Sequence, residues 1–361
     1  MRLLVTGGAG YVGSVVAAQL LEAGHQVVVL DDLSTGHADA VPAGAVFVRG
    51  TIRDEAAGVL AGGIDAVLHF AASSLVGESV AQPGRYWSEN LGGTLALLEA
   101  MRACAVRSIV FSSTAAVYGE PERIPVTETE PARPASPYGA SKLAVDETLR
   151  EYARLQGLAG MSLRYFNVAG AYRAADGRWL AERHSPETHL IPTILSAAGG
   201  GGRGAGAAGS GGGAAGATGD GGGGEGGAGG ARGSGAGGGG AQLKIFGDDY
   251  PTPDGTCVRD YIHVADVARA HLLALGACTP GRHRVYNLGH GTGFSNREVL
   301  GMCREVTGAD IAAVTTPRRP GDPAVLVASP ARIHHDLGWK PEQDLRSMVA
   351  DAWAAARAAQ G

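Results

Sequence analysis

Through the first half of the chain, short apolar runs rich in valine, isoleucine and leucine alternate with longer stretches in which apolar residues recur every three or four positions. The short runs suit strands and the longer stretches suit helices that bury one face. The pattern predicts strands at 3–6, 26–30, 45–48, 66–70, 108–112 and 161–165, and helices at 12–22, 94–104 and 140–155. Strands alternating with helices form a parallel sheet, because each crossover helix packs on a face of the sheet and returns the chain in the same direction. The expected fold is therefore α/β, a doubly wound parallel sheet. Further along, a strand at 243–246 and helices at 264–275, 296–307 and 345–359 predict a smaller C-terminal lobe.

One segment departs from this pattern. Residues 199–240 are dominated by glycine, with alanine next and no apolar side chain larger than alanine. Such a chain buries too little surface to offset its ordering entropy, so a disordered, passive insertion is expected there. Composition excludes several functions. Among 361 residues the net charge is only -5, with no block of one sign, so neither nucleic acid nor an anionic membrane is an expected partner. The four cysteines, Cys104, Cys257, Cys278 and Cys303, lack CxxC or Cys/His spacing. They read as unpaired thiols in a reducing cytoplasm, with no disulfide and no metal site expected. No apolar run approaches the roughly 20 residues of a membrane span, and none follows Met1 as a signal peptide would.

The first strand runs directly into Thr6-Gly7-Gly8-Ala9-Gly10-Tyr11-Val12-Gly13. Glycines at 7, 10 and 13 permit a tight turn, close approach of a pyrophosphate and close helix packing, with the phosphates at the positive helix end. Asp31 ends the second strand, where a carboxylate accepts both hydroxyls of an unphosphorylated ribose; Asp32 beside it is the alternative. No arginine follows immediately to pair with a 2′-phosphate, so NAD is expected rather than NADP. These features make the sheet a Rossmann-type dinucleotide fold.

Tyr138 and Lys142 stand four residues apart at a helix start, on one face, and Thr114 lies at the end of a strand, where ligand sites of open α/β sheets collect. The expected roles are Tyr138 as proton acceptor, Lys142 lowering its pKa by charge, and Thr114 bonding the reacting hydroxyl. Bringing a tyrosine from about 10 to neutrality requires roughly 4 kcal/mol of differential stabilisation.

The stretches TGGAGYVGS, DDLSTGH, HFAASSLVGESV, FSSTAAVYG, SPYGASK, LRYFNVAGA, PETHLIPTIL, IFGDDYPTPDGTCVRDYIHV and RRPGDPAVLVAS together resemble the UDP-glucose 4-epimerases of the extended short-chain dehydrogenase/reductase family, in that family's order. The resemblance implies NAD contacts from Tyr11, Val12, Asp31, Asp32, Leu33, Ser34, Thr35, Gly36, Phe70, Ala71, Ala72, Ser73, Ser74, Asn90, Thr114, Tyr138, Lys142 and Phe166, with Thr51 and Ile52 near the adenine. It implies UDP-sugar contacts from Asn167, His189, Leu190, Lys244, Ile245, Phe246, Arg259, Arg319, Asp322 and Leu326. It also implies an NAD-binding domain at 1–172 with 256–287 returning to it, a UDP-sugar lobe at 173–255 and 288–350, and a homodimer through helices around 86–104 and 140–155.

Guanidinium forks suit a pyrophosphate; judged without the motif, Arg259 and Arg319 better suit surface ion pairs with Asp260 or Asp322, and Phe246 suits the core. Three residues depart from the family pattern. Thr51 replaces an acidic residue, and Ser74 and His189 replace a lysine and an asparagine that some members use around the sugar.

Oxidation at the sugar C4 is shared by several related reactions. A 4,6-dehydratase needs a further acid and base, and relatives of that kind carry Asp-Glu where this chain has Ala115-Ala116. The expected reaction is interconversion of UDP-glucose and UDP-galactose through a 4-keto sugar. Other UDP-sugars (UDP-GlcNAc/GalNAc, UDP-xylose/arabinose) remain alternatives, with Leu326 as the size-determining position, and a non-catalytic NAD sensor is a remote one.

Overall fold

The computed structural model describes residues 1–199, 243–319 and 322–360. The expectation of disorder for 199–240 lies outside the described residues except at Gly199, which caps a helix.

Seven parallel strands form the central sheet: β1 Arg2–Thr6, β2 Gln26–Asp31, β3 Val46–Arg49, β4 Ala66–His69, β5 Ser108–Thr114, β6 Ala159–Tyr165 and β7 His283–Leu288. Their order is β7-β6-β5-β4-β1-β2-β3. The winding reverses at β1, opening a crevice at the carboxyl ends of β1 and β4 where ligands of such sheets bind.

Alternation along β1 explains how both faces are covered. Leu3 and Val5 pack on one side with Val15, Val16 and Leu20 of α1 (Tyr11–Glu22), while Leu4 faces the other with Leu60 of α2 (Ile52–Ala61) and Leu97 of α3 (Gly93–Ala103). The second face is completed by Val145 and Leu149 of α4 (Pro137–Gln156). A separate apolar cluster joins α5 (Leu190–Ala198) to the strand Leu243–Phe246, to α7 (Asn296–Thr307) and to α8 (Leu345–Ala358). Between α5 and α7, α6 (Val264–Gly276) returns to pack on α1 within the first core.

Several elements were not expected from the sequence, among them α2, and two differences bear on the site and the sheet. Helix α4 begins at Pro137, three residues before 140, because Ser136 caps it by accepting from the Gly139 amide at 3.2 Å and proline suits the first turn. Tyr138 is thereby inside the helix. Strand β7 has no counterpart in the expected strands. Its polar Asn287 breaks the apolar run, yet is fully buried, donating to the Val126 carbonyl and accepting from the Tyr118 hydroxyl.

Candidate active site

Around the switch point lies a cavity of about 490 Å³, within the size range of small-molecule sites. The glycine turn after β1 forms its floor. Gly7 has φ +72°, and a Cβ there would stand 2.5 Å from the Ala71 nitrogen; a Cβ on Gly13 would stand 2.2 Å from the Gly7 carbonyl oxygen. Gly10 is the N-cap of α1 and supplies no capping side chain, so the helix's positive end faces the cavity uncovered, as an anionic pyrophosphate requires. Gly7→Ala is expected to cost about 1–2 kcal/mol from the left-handed backbone, before relief of the clash, and to lower the NAD retained on purification. Undiminished NAD content and melting temperature would contradict this.

Asp31 is the carboxylate held in place: it accepts from the Ala9 amide at 3.0 Å and the Leu33 amide at 2.8 Å. Burial raises its pKa, and those two backbone bonds oppose the rise. Asp32 is exposed and closes only a local turn onto Ser34. Ser34, Thr35, Gly36, Thr51, Ile52, Phe70, Ala71, Ala72, Ser73 and Ser74 also line the cavity. Leu33 and Asn90 do not. Leu33 makes the turn in the left-handed region (φ 62°), and Asn90 is buried behind the wall, gripping both the amide and the carbonyl of Ser73. Thr51 caps α2 by accepting from the Asp54 amide and donating to its carboxylate.

Thr114, Tyr138 and Lys142 converge on the same wall. Burial pushes the Tyr138 phenol above 10, and a hydrogen bond with Thr114 opposes it. Burial also drives the Lys142 ammonium down to about 7, opposed by the Asp146 charge. The expectation that Lys142 lowers the Tyr138 pKa finds no support in this geometry. Burial sets the direction of the shift at Tyr138, and the Lys142 Nζ donates to the Ser112 carbonyl at 2.9 Å.

Among the positions expected to meet a UDP-sugar, Asn167, His189 and Leu326 line the cavity together with Phe166. His189 lies 2.7 Å from Glu182 and 2.9 Å from Glu187. Burial opposes its charge, but the two carboxylates outweigh burial and raise it to about 10, so the departure from asparagine introduces a cation. Leu190 and Ile245 are buried in the separate apolar cluster around α5 and α7, and Lys244 is exposed. Phe246 is half-buried beneath the Arg319 guanidinium, which sits 3.8 Å from its ring centroid.

Arg259 is no surface residue. It is fully buried, donates to the Val258 and Pro323 carbonyls, and lies 3.7 Å from the Asp322 carboxylate, while Asp260 is turned to the amides of His290, Gly291 and Ala328. Among the described residues its Nε and Nη2 have no hydrogen-bond partner, an arrangement that favours an anionic ligand.

The cavity also collects residues the sequence reading missed, among them Arg53, Ser112, Glu120, Tyr165, Glu182 and His184. The Ser112 and Tyr165 hydroxyls bond each other across β5 and β6, a pairing visible only through register. Glu182 and His184 could have been found from the Glu-x-His-x-x-Glu-x-His spacing that ends at His189.

Known proteins place this architecture. The profile of the NAD dependent epimerase/dehydratase family matches residues 3–205 and 233–289. A UDP-glucose 4-epimerase of Streptomyces lividans is 50% identical over 356 residues, covering 98% of this chain and 95% of its own; that of Corynebacterium glutamicum is 49% identical with the same coverage. A solved UDP-glucose 4-epimerase from Stenotrophomonas maltophila, with bound NAD and formylated UDP-arabinopyranose, superposes with a TM-score of 0.84 at 37% identity, covering 100% of this chain and 99% of that one. A glycine turn at an uncapped helix end, an anchored carboxylate after β2 and a Thr-Tyr-Lys wall all fit NAD, and the chain belongs to the NAD dependent epimerase/dehydratase family.

Proposed function

We propose that the chain is a UDP-glucose 4-epimerase, interconverting UDP-glucose and UDP-galactose with NAD retained between turnovers. The observation that carries this reading is the convergence of Thr114, Tyr138 and Lys142 on the cavity that the Gly7–Gly13 turn and Asp31 also line. NAD, when held there, supplies a reversible acceptor for the hydrogen at sugar C4 and a positive ring. Tyr138 takes the C4 hydroxyl proton and later returns one, with Thr114 bonded to the phenol to orient the exchange. Because the resting phenol is protonated, deprotonation awaits the cationic site. Lys142, fixed by Ser112, contributes charge below about pH 7 in the free protein. Asn167, His189, Leu326 and the buried Arg259 hold the UDP-sugar, together with Arg319 stacked over Phe246.

Ala115 and Ala116 line the cavity just after Thr114 and offer no acid or base for loss of water, which favours epimerisation over dehydration. The family resemblance supports a division into an NAD-binding domain at 1–172 with 256–287 and a UDP-sugar lobe at 173–255 with 288–350. We further propose a cytoplasmic homodimer. Exposed Trp87, Leu95 and Leu155 on the helices expected to pair support the dimer, and thiols that form no disulfide among the described residues support the compartment. Among the described residues no helix is long and apolar enough to cross a membrane.

The test is to incubate purified protein with each UDP-sugar in turn, without added NAD, and to identify products by chromatography and mass. UDP-glucose and UDP-galactose are expected to interconvert with deuterium at C4 retained, and denaturation is expected to release NAD or NADH. A product one water lighter than substrate, or stoichiometric release of NADH, would overturn the assignment.

A further inference from the structure

The loop between the strand Trp179–Ala181 and helix α5 carries Glu182, His184, Glu187 and His189, and each offers one ligand atom within 4.8 Å of all the others. Cysteine spacing points to no metal in this chain, but this cluster contains none. We propose that these four side chains form a divalent-cation site in the cavity wall, of the imidazole and carboxylate type that takes Zn²⁺.

Geometry is the first support. The His184 Nδ1 lies 2.9 Å from Glu182 Oε1, the His189 Nδ1 2.7 Å from the same oxygen, and the His189 Nδ1 2.9 Å from Glu187 Oε1. Nitrogen and oxygen ligands about 2.0–2.1 Å from a tetrahedral ion stand about 3.3 Å from one another. The three short edges therefore need to open by about half an ångström to admit the ion, and the remaining ligand atoms, all within 4.8 Å of one another, need to draw together where they stand further apart than that edge.

Charge is the second. Two carboxylates and two neutral imidazoles cancel a dication, and two imidazoles favour zinc over calcium or magnesium. Arg183, which lies between Glu182 and His184 in the chain, is turned away, its guanidinium paired with the Asp39 carboxylate at 2.7 and 2.9 Å, so it does not fill the site with its own charge. Outer-shell support is present as well: Glu187 is fixed by the amides of Thr188 and His189, each at 2.8 Å. Protons oppose the ion, because His189 must lose one to bind.

The experiment is calorimetric titration of Zn²⁺ into tag-free, EDTA-treated full-length protein, alongside His184→Ala and Glu187→Gln. One ion per chain is expected, with affinity lowered by at least about tenfold in each variant, the scale on which even outer-shell losses act. Cobalt(II) added to the unmutated protein should give the visible absorption of a tetrahedral nitrogen and oxygen site, a readout that survives if a variant fails to fold. No saturable binding, affinity unchanged in both variants, or a six-coordinate cobalt spectrum would each overturn the site.

Discussion

Tyr138→Phe is expected to lower kcat by about 100-fold or more, the lower range for loss of a general acid/base group, equivalent to about 2.7 kcal/mol in the barrier. The substitution is narrow. The ring packs edge-on against Tyr86, with centroids 6.3 Å apart at 80°, and phenylalanine keeps that contact. Only the hydroxyl and its bond with Thr114 are lost. Melting temperature and UDP affinity should therefore hold while turnover falls, as measured by steady-state kinetics and UDP titration. Near-normal turnover would remove Tyr138 from the proton transfer.

Asp146→Ala is expected to have the largest effect on stability, about 3–5 kcal/mol in urea unfolding. Asp146 lies one turn beyond Lys142 on α4 and accepts from Arg164 Nε at 2.9 Å and Nη2 at 2.8 Å. Both side chains are almost wholly buried. Truncating the acid leaves the guanidinium with the Tyr118 hydroxyl at 3.0 Å as its remaining side-chain partner, and an uncompensated buried charge is far more costly than a buried pair is favourable. The double variant Asp146→Ala, Arg164→Met should recover most of the loss, since an apolar replacement removes the stranded charge. If the single variant unfolds at the wild-type midpoint, the pair contributes nothing. Asp146 also opposes the depression of the Lys142 pKa. Its loss should move Lys142 further below about 7, so the share of turnover that depends on the ammonium should fall at lower pH than in the wild type.

Local pattern alone determined a large part of this protein. The six strands expected in the first half of the chain all lie in the central sheet, where burial on both faces favours unbroken apolar runs such as 3–5 and 27–30. The glycine turn, Asp31, Thr114, Tyr138 and Lys142 were legible because their spacing follows directly from a strand, a turn and the start of a helix, and the cavity collects them all.

What only the tertiary structure decided involves contacts between distant segments. Strand β7 exists because β6 has a free edge for it, and its buried Asn287 is satisfied by Val126 and Tyr118, more than 150 residues earlier. The direction of the Lys142 ammonium depends on the Ser112 carbonyl of a neighbouring strand, which its spacing from Tyr138 could not reveal. Likewise, Arg259 reads as a surface charge from its neighbours in sequence, and only the packing of Val258–Arg259 beside Val325–Leu326 buries it. Periodicity reports which face of an element is dry, whereas the protonation and aim of a polar side chain depend on which other segments enclose it.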